Sequence, residues 1–240
     1  MRDVWGVGRQ YEKLLLSAGI YTPRDLKYAP DNWVRKKMTI VGLKTVLELR
    51  GMVCIDLIEG IPAKQSITVS RSFGRLVSER REVREAIATF IVRAAQKLRK
   101  DRLLASVVTV FVVSSRYQDP QRSFNTVSFV CPLATDYTPH LLEAAEACLE
   151  VLYQPGRLYK KTGVLLSDLV AAEHMQLSML SPLPDVSRQK SLMKTCDTIN
   201  ARFGQHVLSY ASAGIDQSWK AKRLLKSAHY TTSWHELFTV

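Results

Sequence analysis

The sequence predicts an α+β protein: a small helical unit, then a four-stranded antiparallel sheet with two helices on one face, then a C-terminal extension. Three observations predict it. Residues 1–51 carry short apolar runs at helical spacing, broken at glycines. Residues 66–170 alternate β-branched stretches with two long amphipathic ones in the order β-α-β-β-α-β, a recurring sheet-and-helix unit. Past Val170 the pattern loosens around Pro182 and Pro184.

The turn Val4-Trp5-Gly6-Val7-Gly8-Arg9 opens a helix over 9–17, in which Leu14, Leu15 and Leu16 are apolar and Ala18-Gly19-Ile20 closes the turn. Gly6 and Gly8 carry no Cβ, so the backbone there can approach a ligand closely. The helix start behind them offers N–H groups that suit a phosphate. Thr22 caps a second short helix with Pro23 in its first position. A further helix runs over 42–49 on Val46, Leu47 and Leu49, and Gly51 stops it. This helical unit is too small to hold much core alone. Residues 52–65 lack a clear period, contain Gly60 and Pro62, and read as a linker.

Ile67, Val69 and the run from Ser70 to Phe73 read as a strand. The helix predicted over 79–102 places Val83, Ile87, Phe90, Ile91, Ala94 and Leu98 on one stripe. Residues 104–114 are rich in β-branched side chains and read as a strand. A turn at Gln118-Asp119-Pro120-Gln121 leads to a strand over 123–131. Thr138-Pro139 opens a helix to 152, and the last strand spans 159–169. Helices cover one sheet face; small hydroxyl and β-branched residues suit the other to an open, ligand-facing surface. An exposed loop follows, then a helix over 187–203.

The net charge of +12 makes a polyanionic partner plausible. The longest apolar run, 103–113, is too short to span a bilayer, so no membrane is expected. The first residues lack the pattern of a signal peptide. Cys54, Cys131, Cys148 and Cys196 are scattered, with no Cys-x-x-Cys pair, and read as reduced thiols of a cytoplasmic protein.

Catalytic and metal-binding patterns are lacking in the sequence. Metal-dependent nucleotidyl transfer needs clustered carboxylates, whereas Asp3, Glu12, Asp25, Asp56, Glu59 and Asp168 are dispersed. Glu143 and Glu146 read as a solvated helix face. No catalytic residue, cofactor or metal ligand is therefore assigned. Binding chemistry is better represented. Val69-Ser70-Arg71-Ser72-Phe73-Gly74-Arg75 places arginine and hydroxyls, common phosphate contacts, on a strand. Arg93, Lys97 and Lys100 share a helix face and read as solvated. Lys160 and Lys161 begin the last strand.

These residues carry a family resemblance. Asp3 to Arg9, Glu48-Leu49-Arg50-Gly51, Lys64-Gln65 with Ser70 to Gly74, and Tyr159-Lys160-Lys161-Thr162-Gly163-Val164 occur in a specific order. Gln176 to Leu180, Asn200-Ala201-Arg202-Phe203-Gly204 and Tyr230-Thr231-Thr232 extend it. The chain resembles the C-terminal half of the bacterial Y-family translesion DNA polymerases, in their UmuC-like branch.

The resemblance implies a map: 1–51 a thumb with a helix-hairpin-helix-like turn, 52–65 a linker, 66–170 a little-finger DNA-binding domain. Residues 171–187 would be a loop with a clamp-binding peptide, and 188–240 a UmuC-type extension. Palm and fingers, with their Mg2+ and catalytic carboxylates, are expected upstream of Met1. The DNA contacts implied are Gly6, Val7, Gly8, Arg9, Lys64, Ser70, Arg71, Ser72, Gly74, Arg75, Lys160 and Lys161. Gln176, Leu177, Met179 and Leu180 fall where the family carries its sliding-clamp peptide. Met179 and Leu180 stand where leucine and an aromatic are usual, which implies weaker docking. Ala228-His229 replace a usual Pro-Arg pair. The partners implied are primer–template DNA, the sliding clamp, the UmuD′ dimer and the RecA filament. Two functions stay open: the DNA-binding portion of an error-prone polymerase in SOS repair and mutagenesis, or a non-catalytic protein that occupies the clamp, RecA or UmuD′. A stand-alone enzyme with an unrecognised site is a third.

Overall fold

A computed structural model describes residues 1–55, 63–115, 124–174, 185–204, 207–222 and 227–237. The chain forms two compact units, Met1–Pro62 and Ala63–Val240.

The first unit is helical. Helix α1 (Arg9–Ser17) follows a turn in which the Val7 N–H donates to the Val4 carbonyl at 3.0 Å. Helix α2 (Pro23–Lys27) starts with a full capping box: the Thr22 hydroxyl accepts from the Asp25 N–H, and the Asp25 carboxylate accepts from the Thr22 N–H. Helix α3 (Asp31–Leu49) begins well before residue 42, where the sequence places its start. Gly42 lies inside the helix, packed against the Met38 side chain. The helix kinks at Thr39, whose φ of 66° and ψ of −175° leave helical space. That conformation is costly for a β-branched residue, by about 1–3 kcal/mol.

Leu15, Leu26, Val34, Met38 and Val46 form the small core. Arg50 binds the unit together. Its guanidinium donates to the carbonyls of Lys27 and Ala29 at 2.8 and 2.9 Å and pairs with Asp31 at 2.7 Å.

The second unit is α+β, as the sequence predicts. Its strands are β1 (Ser66–Val77), β2 (Leu103–Ser114), β3 (Phe124–Thr135) and β4 (Tyr159–Ala171). They lie in the order β1-β4-β2-β3, every neighbouring pair antiparallel. β3 runs four residues past the expected end at 131, through Pro132, which an edge strand tolerates. Helix α4 (Arg80–Lys100) links β1 to β2, and helix α5 (Thr138–Leu152) links β3 to β4. Each connection crosses one intervening strand, so two split β-α-β units interlock.

Both helices bury their apolar stripes against one sheet face. Phe90, Ile91 and Leu98 of α4 and Leu141 and Leu149 of α5 share a core with Val108, Val110, Val164 and Leu166. Alternation along each strand fixes which side chains reach this core.

The C-terminal extension packs on the same domain. Helix α6 (Val186–Phe203) is capped by Asp185, which accepts from the Arg188 N–H at 3.0 Å. Its Asp197 holds Arg99 of α4 through both oxygens, at 2.6 and 3.0 Å. Farther on, Trp219 enters the main core at 2% exposure. Its ring meets Phe73 and Phe90 edge-on, with centroids 6.2 and 5.7 Å apart.

Candidate nucleic-acid interface

The face of the sheet turned away from α4 and α5 is lined by every second residue. β1 contributes Ser66, Thr68, Ser70 and Ser72, opposite Ser167, Leu165, Gly163 and Lys161 of β4. β2 contributes Val107, Thr109, Phe111 and Val113, opposite Val130, Ser128, Thr126 and Phe124 of β3. Hydroxyls therefore stand on all four strands. One pair is self-satisfied: the Thr109 and Ser128 hydroxyls lie 2.8 Å apart.

Aromatic and cationic groups gather at one end of this face. Phe111 stacks on Phe124 at 5.5 Å, and the Lys161 ammonium sits 5.8 Å from the Phe111 ring. Gly163 is required beneath them. A Cβ there would lie 2.4 Å from the Ser70 Cβ and 2.5 Å from the Phe111 ring. Phe124 is 62% exposed, a large apolar ring left on an otherwise hydroxyl-rich surface.

The residues implicated by sequence divide into groups. Ser70, Ser72 and Lys161 share the open face, and Lys160 is exposed on β4. Arg71 does not join them. It alternates with Val69 and Phe73 towards the helix-covered side of the edge strand, opposite Thr162. There it acts electrostatically on Arg93 and on Lys220.

Two cations are held by carboxylates: Lys64 by Asp101 at 2.6 Å and Arg75 by Glu82 at 2.5 Å. Gly74 abuts the C-terminal segment, and its N–H donates to the Trp219 carbonyl at 2.9 Å. Glu146, read as merely solvated, accepts from Arg80 at 3.3 Å and from Arg84 at 3.0 Å.

In the helical unit Gly6 has φ of +87°, Gly8 is the residue before the first turn of α1, and Arg9 is exposed. Val7 is buried in the small core and presents no side chain to a ligand. Trp5, which the sequence reading did not single out as a contact, is 93% exposed on this turn. The expected clamp peptide, Gln176 to Leu180, lies outside the described residues, as does the turn at 118–121.

Burial raises the Cys131 and Cys148 thiols above their ordinary value and so favours the unreactive thiol form. All four cysteines are free. Among the described residues no group of three His, Cys, Asp or Glu side chains is placed to hold a metal ion. Nor is any helix among them long and apolar enough to cross a membrane.

Among the described residues, both long helices of the split β-α-β sheet lie on one face, and the C-terminal extension inserts an indole into the core they cover. Residues 64–179 match the impB/mucB/samB family C-terminal domain, and residues 190–240 match a domain of unknown function, DUF4113. Residues 64–179 thus carry the C-terminal domain of the impB/mucB/samB family, and the chain is a homologue of the UmuC and MucB proteins.

It is 35% identical to Protein UmuC of Salmonella typhimurium over 241 residues, spanning 100% of this chain and 57% of that protein. It is 38% identical to Protein MucB of Escherichia coli over 237 residues, spanning 98% of this chain and 56% of that protein. DNA polymerase IV of Moorella thermoacetica is 27% identical over 222 residues, 90% of this chain and 53% of that enzyme. The chain thus spans little more than half the length of these relatives. A solved Y-family DNA polymerase chimera superposes with a TM-score of 0.49 at 13% identity, over 71% of this chain and 47% of that one.

Proposed function

We propose that this chain is the DNA-gripping portion of an error-prone translesion DNA polymerase of SOS repair and mutagenesis. The bare, hydroxyl-lined sheet face with Lys161 at its end carries the reading, in a chain of net charge +12 that is homologous to UmuC and MucB. Hydroxyls, lysines and arginines contact phosphates, which carry no sequence information. A grip of this kind holds primer–template DNA without excluding a damaged base. Lys160 and Lys161 supply charge, Arg71 adds charge from the other side of the edge strand β1, and Ser70 and Ser72 supply hydrogen bonds. The helical unit adds Arg9 and the exposed backbone of the Gly6–Gly8 turn. The free cysteines support a reducing, cytoplasmic setting.

The reading extends to partners. Gln176, Leu177, Met179 and Leu180 form the sliding-clamp peptide, and the UmuD′ dimer and RecA filament complete the working assembly. These partners follow from the family resemblance.

Titration of labelled primer–template DNA across salt concentrations tests the grip. Affinity falls steeply as salt rises, with a log–log slope of about −0.9 for each phosphate contact. Lys161→Ala weakens binding to all sequences alike. A salt-independent affinity, or a loss confined to one sequence, overturns the reading.

A further inference from the structure

Two rows of side chains cross the sheet face turned away from α4 and α5, near the start of β4. Taken in the strand order β1-β4-β2-β3, one row is Ser70, Gly163, Phe111 and Thr126. The next is Ser72, Lys161, Val113 and Phe124. Phe111 and Phe124 are diagonal neighbours, and their rings stack at 5.5 Å with 29° between the planes. Phe111 is partly buried, whereas Phe124 is 62% exposed on the edge strand. The stack therefore ends on an aromatic surface open to solvent. We propose that Phe124 stacks on an unpaired nucleobase of single-stranded DNA, while Lys161 holds a phosphate of the same strand.

The sheet fixes the stack in place. The Phe111 ring fills the gap that Gly163 leaves on β4, where a Cβ would lie 2.5 Å from it. Phe111 is thus supported from below and in turn supports Phe124. The Lys161 ammonium, two residues from Gly163, sits 5.8 Å from the Phe111 ring. A cation is therefore held beside the aromatic pair.

The surroundings select the occupant. None of the eight residues in the two rows is acidic, and Ser70, Ser72 and Thr126 add hydroxyls. An apolar protein segment laid here would strip water from an ammonium and these hydroxyls without pairing them, which is costly. A nucleotide of a single strand offers a flat π-face to the ring and a phosphate to the lysine. In a duplex the faces of each base are covered by its stacked neighbours, so the ring gains little from paired DNA.

Stacking deepens the DNA-gripping reading and rests on it, and the experiment separates their failures. Wild type, Phe124→Ala and Phe124→Trp, as full chains with their melting temperatures compared, are titrated with labelled oligothymidylate. The same titrations use an abasic oligomer of equal length and a blunt duplex. Phe124→Ala is expected to weaken oligothymidylate binding about tenfold, the loss of one base–aromatic stack, and to leave abasic and duplex affinities unchanged. Phe124→Trp keeps a stacking surface and should bind oligothymidylate at least as tightly as wild type. Lys161→Ala should reduce the salt slope on oligothymidylate by about 0.7, one single-strand phosphate contact, whereas Phe124→Ala leaves that slope unchanged.

Unchanged oligothymidylate affinity in Phe124→Ala, or wild type that binds the duplex alone, overturns the stacking site and leaves the grip standing. An equal loss on the abasic oligomer also overturns it, because the ring would then serve the backbone and not a base. Wild type that binds none of the three overturns both. If Phe124→Ala melts early, Phe124→Trp is compared with Phe124→Leu, and equal oligothymidylate affinities overturn the site.

Discussion

Asp136 shows how one side chain sets a pH dependence. It precedes α5, and burial holds its carboxyl above the ordinary carboxylate value, against the opposing pull of Arg99. A raised carboxylate favours the folded state while it is protonated. Its contribution is full below the ordinary carboxylate pKa and is lost as pH rises through the raised value. Asp136→Asn keeps the backbone carbonyl that accepts from Arg99 at 2.8 Å. The substitution is expected to raise the denaturation midpoint above the carboxylate range and to leave it unchanged below, as urea unfolding at the two extremes will show. Residue scale is also where sequence reading lost accuracy. Ser70, Arg71 and Ser72 read as one contact cluster, yet strand alternation sends the arginine to the opposite face. Lys64 and Arg75 stand among the DNA contacts that the resemblance implies, and Asp101 and Glu82 pair with them. Asp101 is far from Lys64 in the chain, and no local pattern signals the pair.

Most elements were legible because their signal is local. The stripe from Val83 to Leu98 and the alternation along β2 are periodicities that any window of the sequence carries. The clearest miss is the segment around Trp219. It has no period, and its burial depends on a slot between Phe73 and Phe90 that exists only after β1 and α4 have met. Trp219→Ala is expected to destabilise the second unit by about 3–5 kcal/mol, the usual cost of truncating a buried aromatic. Denaturant unfolding measures it. A cost near zero would mean that the indole does not occupy the core in solution. Helix α6 has a separate anchor, the Arg99–Asp197 pair, so its docking should survive that truncation.

At the scale of the whole molecule, the proposed DNA grip and the proposed clamp peptide are separate regions of sequence. Replacing Gln176 and Leu177 with alanine is expected to abolish capture by an immobilised sliding clamp while primer–template affinity stays unchanged. Concurrent loss of DNA binding would show that the two functions share a surface. The charge of +12 acts on both, since it accelerates encounter with any polyanion and is screened by salt.

The sequence by itself determined the α+β class, the order β-α-β-β-α-β, the hydroxyl character of the bare sheet face and the net charge. Each is a property of composition or short-range period. Only the tertiary structure decided the strand order β1-β4-β2-β3, the cations neutralised by carboxylates and the insertion of Trp219 beside Gly74. Those outcomes depend on distances between residues remote in the chain. Such distances are set by how the helices and the C-terminal segment fill the space around the sheet.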